Sequence, residues 1–420
     1  MLVLIAAAMP VRVAHSLPVI NSFSVLDILL VAVAATLFLD LAFGAVDTGP
    51  RDLFRLLCVP LVISVLSLVW SHDRAATVRA VIVYAEGLII YVFVLRELSG
   101  LGPDRIVSYI KRYAYLLIIP AVLLVLHVPG FQPEVPYKHS SGAYLTYFTR
   151  LSHPVLGGSN NLASILAFFA PILLYWGHAR SDRRATNAGF VTLLAIFLTL
   201  SRGILLSFVL AGLVYALTLG RQKARSDSGL RARVFAAAAV ATIGIGVFYS
   251  VNPATHQFFA GRFSLTNVQS RFELVSLSFT KIGASPFLGY GSGVEPPLAP
   301  TGAEVVDGKL HLPNSYIQGT PKLDSHNAYL QQALYFGLPL GLLVSLALWG
   351  TVGFFLSRRR TAALAGVIAY TLLVQLVSFL FEASYEGTVL RVLFYLSVGL
   401  AVALLRSTDD ERSRSLGALA

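Results

Sequence analysis

The chain alternates between long apolar runs and short polar ones. Runs near the length of one bilayer crossing, about 20 residues, lie at 25–46, 53–70, 75–95, 106–127, 155–177, 186–200, 203–220, 232–250, 328–356, 361–381 and 388–406. They predict eleven membrane-spanning helices. A twelfth near residues 2–20 is interrupted by Pro10, Arg12 and Pro18. The strict apolar–polar alternation of a membrane β-barrel is absent. The longest polar interval, 251–327, contains PFLGYGSG (286–293) and EPPLAPTG (295–302), whose Pro and Gly clusters predict irregular backbone. The pattern therefore gives an all-α polytopic membrane protein. It is a single transmembrane domain over 1–420, with one large external loop at 251–327 and a cytoplasmic tail at 407–420.

Composition agrees with this. The 420 residues are 56% hydrophobic and 13% charged, against about 25% charged in a soluble domain. The net charge of +11 is not the footprint of a nucleic-acid binder. Its cations fall in clusters between apolar runs: Arg96 to Arg112, Arg180 to Arg184, Arg221 to Arg233, and Arg358 to Arg360. The positive-inside rule sets these on the cytoplasmic side. The loop 129–153, the turn at Ser201–Gly203, the loop 251–327 and the turn at Glu382–Glu386 then fall outside. The lone Cys58 excludes a disulfide within the chain and a cysteine-based metal site. Residues 1–9 lack a basic start, so no cleaved signal peptide is expected.

Three features gather on the outer side. In TLSRG (199–203), Arg202 interrupts an apolar run too long for one crossing, which predicts a hairpin with Arg202 at its tip. It either snorkels to headgroups or serves a reaction. In QSRFEL (269–274), Phe272, Leu274, Val275, Leu277 and Phe279 predict an amphipathic helix on the membrane surface. There Arg271 either binds a phosphate or pairs locally with Glu273. In DSHNAYL (324–330), Asp324 or Ser325 can cap the helix beginning near Asn327. His326 then sits at the positive end of a helix dipole, which favours neutral imidazole able to accept a proton. The alternative is a plain cap with an incidental histidine. Two cations and one base suffice to move a sugar from a lipid diphosphate to a hydroxyl, because a diphosphate leaving group needs charge stabilisation rather than a proton. The outer loop has no DxD pair and no His/carboxylate cluster with metal-ligand spacing, so neither metal nor cofactor is expected.

TLSRG, the loop arginine and SHNAYLQQALYFGLPLGLL (325–343) together resemble the O-antigen ligase and Wzy polymerase superfamily. So do GGSNNLASILAFFAPILL (157–174) and GASPFLGYGSG (283–293). The resemblance implies a GT-C-type bundle of about 11–12 helices in the bacterial inner membrane, with its active site on the periplasmic or external face. It implies an inverting, metal-independent glycosyltransferase using an undecaprenyl-diphosphate-linked glycan donor. The acceptor is lipid A core for a ligase, or a growing lipid-linked polysaccharide for a polymerase. By this resemblance Arg202 and Arg271 hold the diphosphate, His326 is the general base, and Ser201 and Asn327 contact substrate. Members of the family often carry a bulky aromatic a few residues after the loop arginine. Here Glu273, Leu274 and Val275 follow Arg271, and Arg262 is the alternative. The rival from another class is a lipid-linked glycan transporter working through Asp27, Asp40, Glu86 or Arg391.

Overall fold

Apolar runs become helices almost residue for residue in a computed structural model, which describes residues 12–13, 23–24, 47–126, 151, 159–199, 201–219, 265–294, 296, 304–306, 309–311, 327–359, 362–380 and 388–417. Ten helices lie among the described residues. They are α1 (Arg51–Ser67), α2 (Arg74–Leu98), α3 (Pro103–Val125), α4 (Ser159–Ala179), α5 (Arg183–Leu198), α6 (Arg202–Leu219), α7 (Leu265–Ala284), α8 (Ala328–Arg358), α9 (Ala363–Ser378) and α10 (Thr388–Gly417). Two minimal antiparallel pairs accompany them, Arg12–Val13 with Phe23–Ser24 and Glu304–Val306 with Lys309–His311. The spans expected at 25–46 and 232–250 lie outside the described residues, as do Asp27, Asp40 and the turn 382–386, and of the one near 2–20 only Arg12–Val13 is described. Four of the helices (α2, most of α3, α4 and α8) are long and apolar enough to cross a bilayer. This is a polytopic α-helical membrane protein.

Small residues set how closely the helices approach. A Cβ on Gly177 would lie 2.5 Å from Thr186 N, and one on Gly189 3.0 Å from Leu174 N, so α4 and α5 pack backbone to backbone. Gly87 of α2 leaves room for the ring of Tyr395 on α10. That buried phenol donates to Leu57 O of α1 at 2.9 Å, tying three helices together. Prolines 60, 120 and 171 lie inside α1, α3 and α4, as membrane helices tolerate when neighbours satisfy the freed backbone.

Contacts between helix termini give the bundle two ends. At one end Arg406 bonds Asp47 (2.5 Å), Arg180 bonds Glu411, Trp176 Nε1 donates to Asp104 (3.1 Å) and Ser407 donates to Leu101 O (2.5 Å). The Arg96–Arg105, Arg180–Arg184 and Arg358–Arg359 segments share this basic end, as the charge pattern predicts. The predicted apolar span 388–406 lies within α10, which continues as helix to Gly417. The opposite end carries the α1–α2 turn, the α5–α6 turn, the segment 285–294 and the start of α8.

Candidate functional site

The opposite end is organised by a break in α8. Pro339 lacks an N–H and its ring clashes with the preceding turn. Gly337 takes φ 73°, ψ 172°, so α8 is two helices meeting at an angle. A break strands carbonyls at the end of the first half. They are satisfied from outside: Tyr290 N donates to Leu334 O and Gly291 N to Tyr335 O, both at 2.9 Å. On the far side of the break Leu338 N donates to Pro286 O at 2.7 Å. The fit excludes side chains. A Cβ on Gly337 would sit 2.3 Å from Phe287 C, and one on Gly289 2.5 Å from Gly337 N and Leu334 O.

The same segment is laced to the α1–α2 turn. His72 N donates to Tyr290 O (3.0 Å), Ser67 Oγ accepts from Ser292 N (3.1 Å), and Ser64 and Ser292 share a hydroxyl bond at 2.9 Å. Burial raises the pKa of the Tyr290 phenol, whose hydroxyl donates to Lys281 O. GASPFLGYGSG is thus a backbone clamp that holds the short first half of α8.

That first half starts at Asn327, not at the predicted caps. Asn327 Oδ1 accepts from Tyr329 N (3.0 Å) and Leu330 N (3.1 Å). Asp324 and Ser325 were each suited to the role by chemistry, but Asn327 stands directly before the first helical residue with extended backbone, φ −143° and ψ 113°. Its Nδ2 donates to Leu380 O at 3.0 Å, Ala328 N donates to Phe379 O at 2.9 Å, and Tyr329 Oη donates to Leu376 O at 2.7 Å. The start of α8 is therefore pinned to the end of α9. His326 lies outside the described residues, as do Asp324 and Ser325. His326 immediately precedes the pinned Asn327 in the chain.

The α5–α6 hairpin forms as predicted, and Arg202 is the first residue of α6. Ser201 is fully buried; its N–H donates to Thr199 Oγ1 (3.3 Å), and its Oγ has no partner among the described residues. α6 runs antiparallel to α9, with Tyr370 Oη donating to Phe208 O (3.2 Å). Six residues on, about 9 Å of helical rise, Arg202 comes level with Leu376, the residue that receives Tyr329. The SRG turn and the Asn327 cap thus both lie toward the C-terminal end of α9. Nothing is described of the Arg202 side chain.

The predicted loop helix is α7. Leu274, Leu277 and Ile282 pack with Leu330, Ala333 and Leu334 of α8, while Phe272 and Phe279 turn outward, 70% and 57% exposed. The helix therefore has two apolar sides, one for α8 and one facing away from the protein, where a surface helix meets acyl chains. Arg271 stands one turn before Leu274 in α7; its side chain, Glu273 and the alternative Arg262 lie outside what is described.

Sequence reasoning missed the buried glutamines beneath this end. Gln331 and Gln332 of α8 are 1% exposed. Gln375 of α9 donates to Ser164 O at 3.4 Å, while its Oε1 has no partner among the described residues. The available signal was an amide inside an apolar run, which is costly in a membrane and marks a packed or functional interior.

No curated protein matches the chain. The O-antigen ligase family (Wzy_C) matches residues 188–345, from within α5, through the SRG turn, α7 and the clamp, to just past the break in α8. Over this segment, which contains Ser201, Arg202, Arg271, His326 and Asn327, the chain is similar to the O-antigen ligase family.

Proposed function

We propose that the protein is an inverting membrane glycosyltransferase of the ligase type. It transfers a glycan from an undecaprenyl-diphosphate-linked donor to an acceptor hydroxyl at the bundle end opposite the basic one. That end is periplasmic by the positive-inside rule, in a bacterial inner membrane. The carrying observation is the convergence of the SRG turn and the Asn327 cap around the end of α9. It sets the start of α6 and Asn327, the chain neighbour of His326, toward one helix end from segments more than a hundred residues apart.

In this reading His326 accepts the proton of the acceptor hydroxyl, whose oxygen attacks the anomeric carbon. The bond from that carbon to the diphosphate breaks, and its electron pair leaves on the phosphate oxygen. Arg202 and Arg271 neutralise the charge that develops there, since guanidinium stays protonated and binds phosphate bidentately. Ser201 Oγ, buried and without a partner among the described residues, adds a hydrogen bond in this reading. Asn327 contributes by position, because both ends of its amide are engaged by the cap and Leu380. Direct displacement inverts the anomeric centre and needs no metal.

The test is transfer by the purified full-length protein, with lipid-diphosphate glycan as donor and lipid A core or a second lipid-linked glycan offered in turn. Lipid A core is the expected acceptor; use of the second glycan alone would make the protein a polymerase. H326A is expected to lose about 10²–10⁴-fold in rate, and R202K to lose most activity despite its retained charge. Wild-type rates in both variants would sink the assignment.

A further inference from the structure

The groove between α3 and α5, at the basic end, gathers cations without a carboxylate partner among the described residues. A cavity of about 410 Å3 opens there, lined by Ser108, Lys111, Arg112 and Tyr115 of α3 and by Arg184 and Asn187 of α5. Three other arginines at this end have carboxylates: Arg55 with Asp52, Arg180 with Glu411, Arg406 with Asp47. Lys111, Arg112 and Arg184 have no such partner among the described residues. Asp182, two residues from Arg184, is engaged as the α5 cap, its Oδ1 accepting from Arg184 N (2.8 Å) and Ala185 N (3.1 Å). Three like charges around one cavity repel each other unless an anion sits among them.

The chemistry changes along the groove. On α3 the helical stripe Ser108, Arg112 and Tyr115 continues as Ile119, Val122 and Leu126; on α5, Arg184 and Asn187 continue as Val191, Leu194 and Leu198. Steps of three and four keep each stripe on one face. The apolar members are exposed, Ile119 at 54% and Leu194 at 54%. From Arg112 to Leu126 the helix rises about 21 Å, more than the roughly 15 Å of hydrocarbon in one leaflet. Cations, hydroxyls and a tyrosine at the bottom, with two bare apolar stripes above, match a headgroup and its acyl chains.

We propose that this groove is a binding site for an anionic glycerophospholipid of the leaflet at the basic end. Lys111, Arg112 and Arg184 hold the phosphate. Ser108, Tyr115 and Asn187 hydrogen-bond the remaining headgroup oxygens. The chains lie along Ile119–Leu126 and Val191–Leu198. The site is at the end of the bundle remote from the Asn327 cap and separate from the glycan site.

The experiment is native mass spectrometry of the full-length protein offered equal phosphatidylglycerol and phosphatidylcholine. Wild type is expected to retain phosphatidylglycerol selectively. K111Q/R112Q/R184Q is expected to lose that retention about tenfold or more, and R51Q/R105Q/R183Q, which removes equal charge from the same end outside the cavity, to stay within about twofold of wild type. Equal loss in both triple variants, or no loss in the first, overturns the proposal. Displacement of the lipid by excess inorganic phosphate would make the site one for a small anion and overturn it too. L194W keeps all three cations and fills the apolar groove, so it decides the matter if the triple variant fails to insert: retention is expected to fall, and unchanged retention overturns the proposal.

Discussion

The two ends of the bundle are joined by different kinds of contact. At the basic end side chains reach across: Arg406 to Asp47, Arg180 to Glu411, Trp176 to Asp104. At the opposite end backbone meets backbone: Tyr290 and Gly291 on the broken turn of α8, Leu338 on Pro286, Ala328 on Phe379, Leu151 on Leu198. Long side chains tolerate drift of an ångström or more; paired peptide groups do not. The end that recruits its proposed chemistry from distant segments is the one whose backbone is fixed, as positioning for displacement requires. The basic end, joined by side chains, makes no such demand on its backbone.

The sharpest way to break this contrast is to put a methyl group into the clamp. G337A asks for a backbone region that essentially only glycine occupies and drives Cβ to 2.3 Å from Phe287 C. Strain and overpacking together cost about 2–5 kcal/mol. G289A meets Gly337 N and Leu334 O at 2.5 Å and belongs to the same class. G283A, at the end of α7 with nothing within 4 Å, is expected to be neutral or slightly stabilising, since alanine favours helix. Thermal unfolding of the purified protein in detergent should rank G337A and G289A far below wild type and G283A beside it. A G337A protein that melts with wild type would mean the clamp does not hold α8.

How much of this was legible in the sequence follows from which forces write themselves into residue type. Apolar length fixed the helices, because desolvating a crossing demands it; predicted spans such as 75–95 and 328–356 became Arg74–Leu98 and Ala328–Arg358. Pro and Gly announced irregular backbone at 286–293, but not that it would dock on a helix break some fifty residues later, since one Pro-Gly pattern suits a free turn and a docked one alike. The cap was misplaced by two or three residues because Asp, Ser and Asn all accept from a first-turn N–H; only the backbone angles at Asn327 decide. The convergence on α9 was invisible, as Leu376, Phe379 and Leu380 act through their carbonyls, which every residue has.

A middling effect separates the cap from the bond to α9. N327A loses both and is expected to cost about 1–2 kcal/mol. N327D keeps an oxygen for Tyr329 N and Leu330 N but has no donor for Leu380 O, and should fall between. In a transfer assay N327D is expected to lose more rate than stability, because the lost bond anchors the residue beside His326. Equal melting of N327A and wild type would show that the start of α8 needs no cap.

The smallest effect is predicted at the basic end, and its direction is set by charge. Burial opposes ionisation of Asp47, but the N–H of Gly49 at 2.8 Å and the Arg406 guanidinium outweigh it, so its carboxyl titrates below the ordinary value of 3.8. A carboxyl with a depressed native pKa stabilises the fold above its unfolded pKa, and that contribution is lost as pH falls through the native one. With side chains 44% and 47% exposed, the pair is screened by solvent and worth only a few tenths of a kcal/mol. D47N should therefore shift the melting temperature by about a degree at neutral pH, and less in high salt. The gap from wild type should close only below about pH 3.8. A drop like that of G337A would mean that the basic end, too, is held by geometry rather than by loose pairing, and the contrast between the ends would fail.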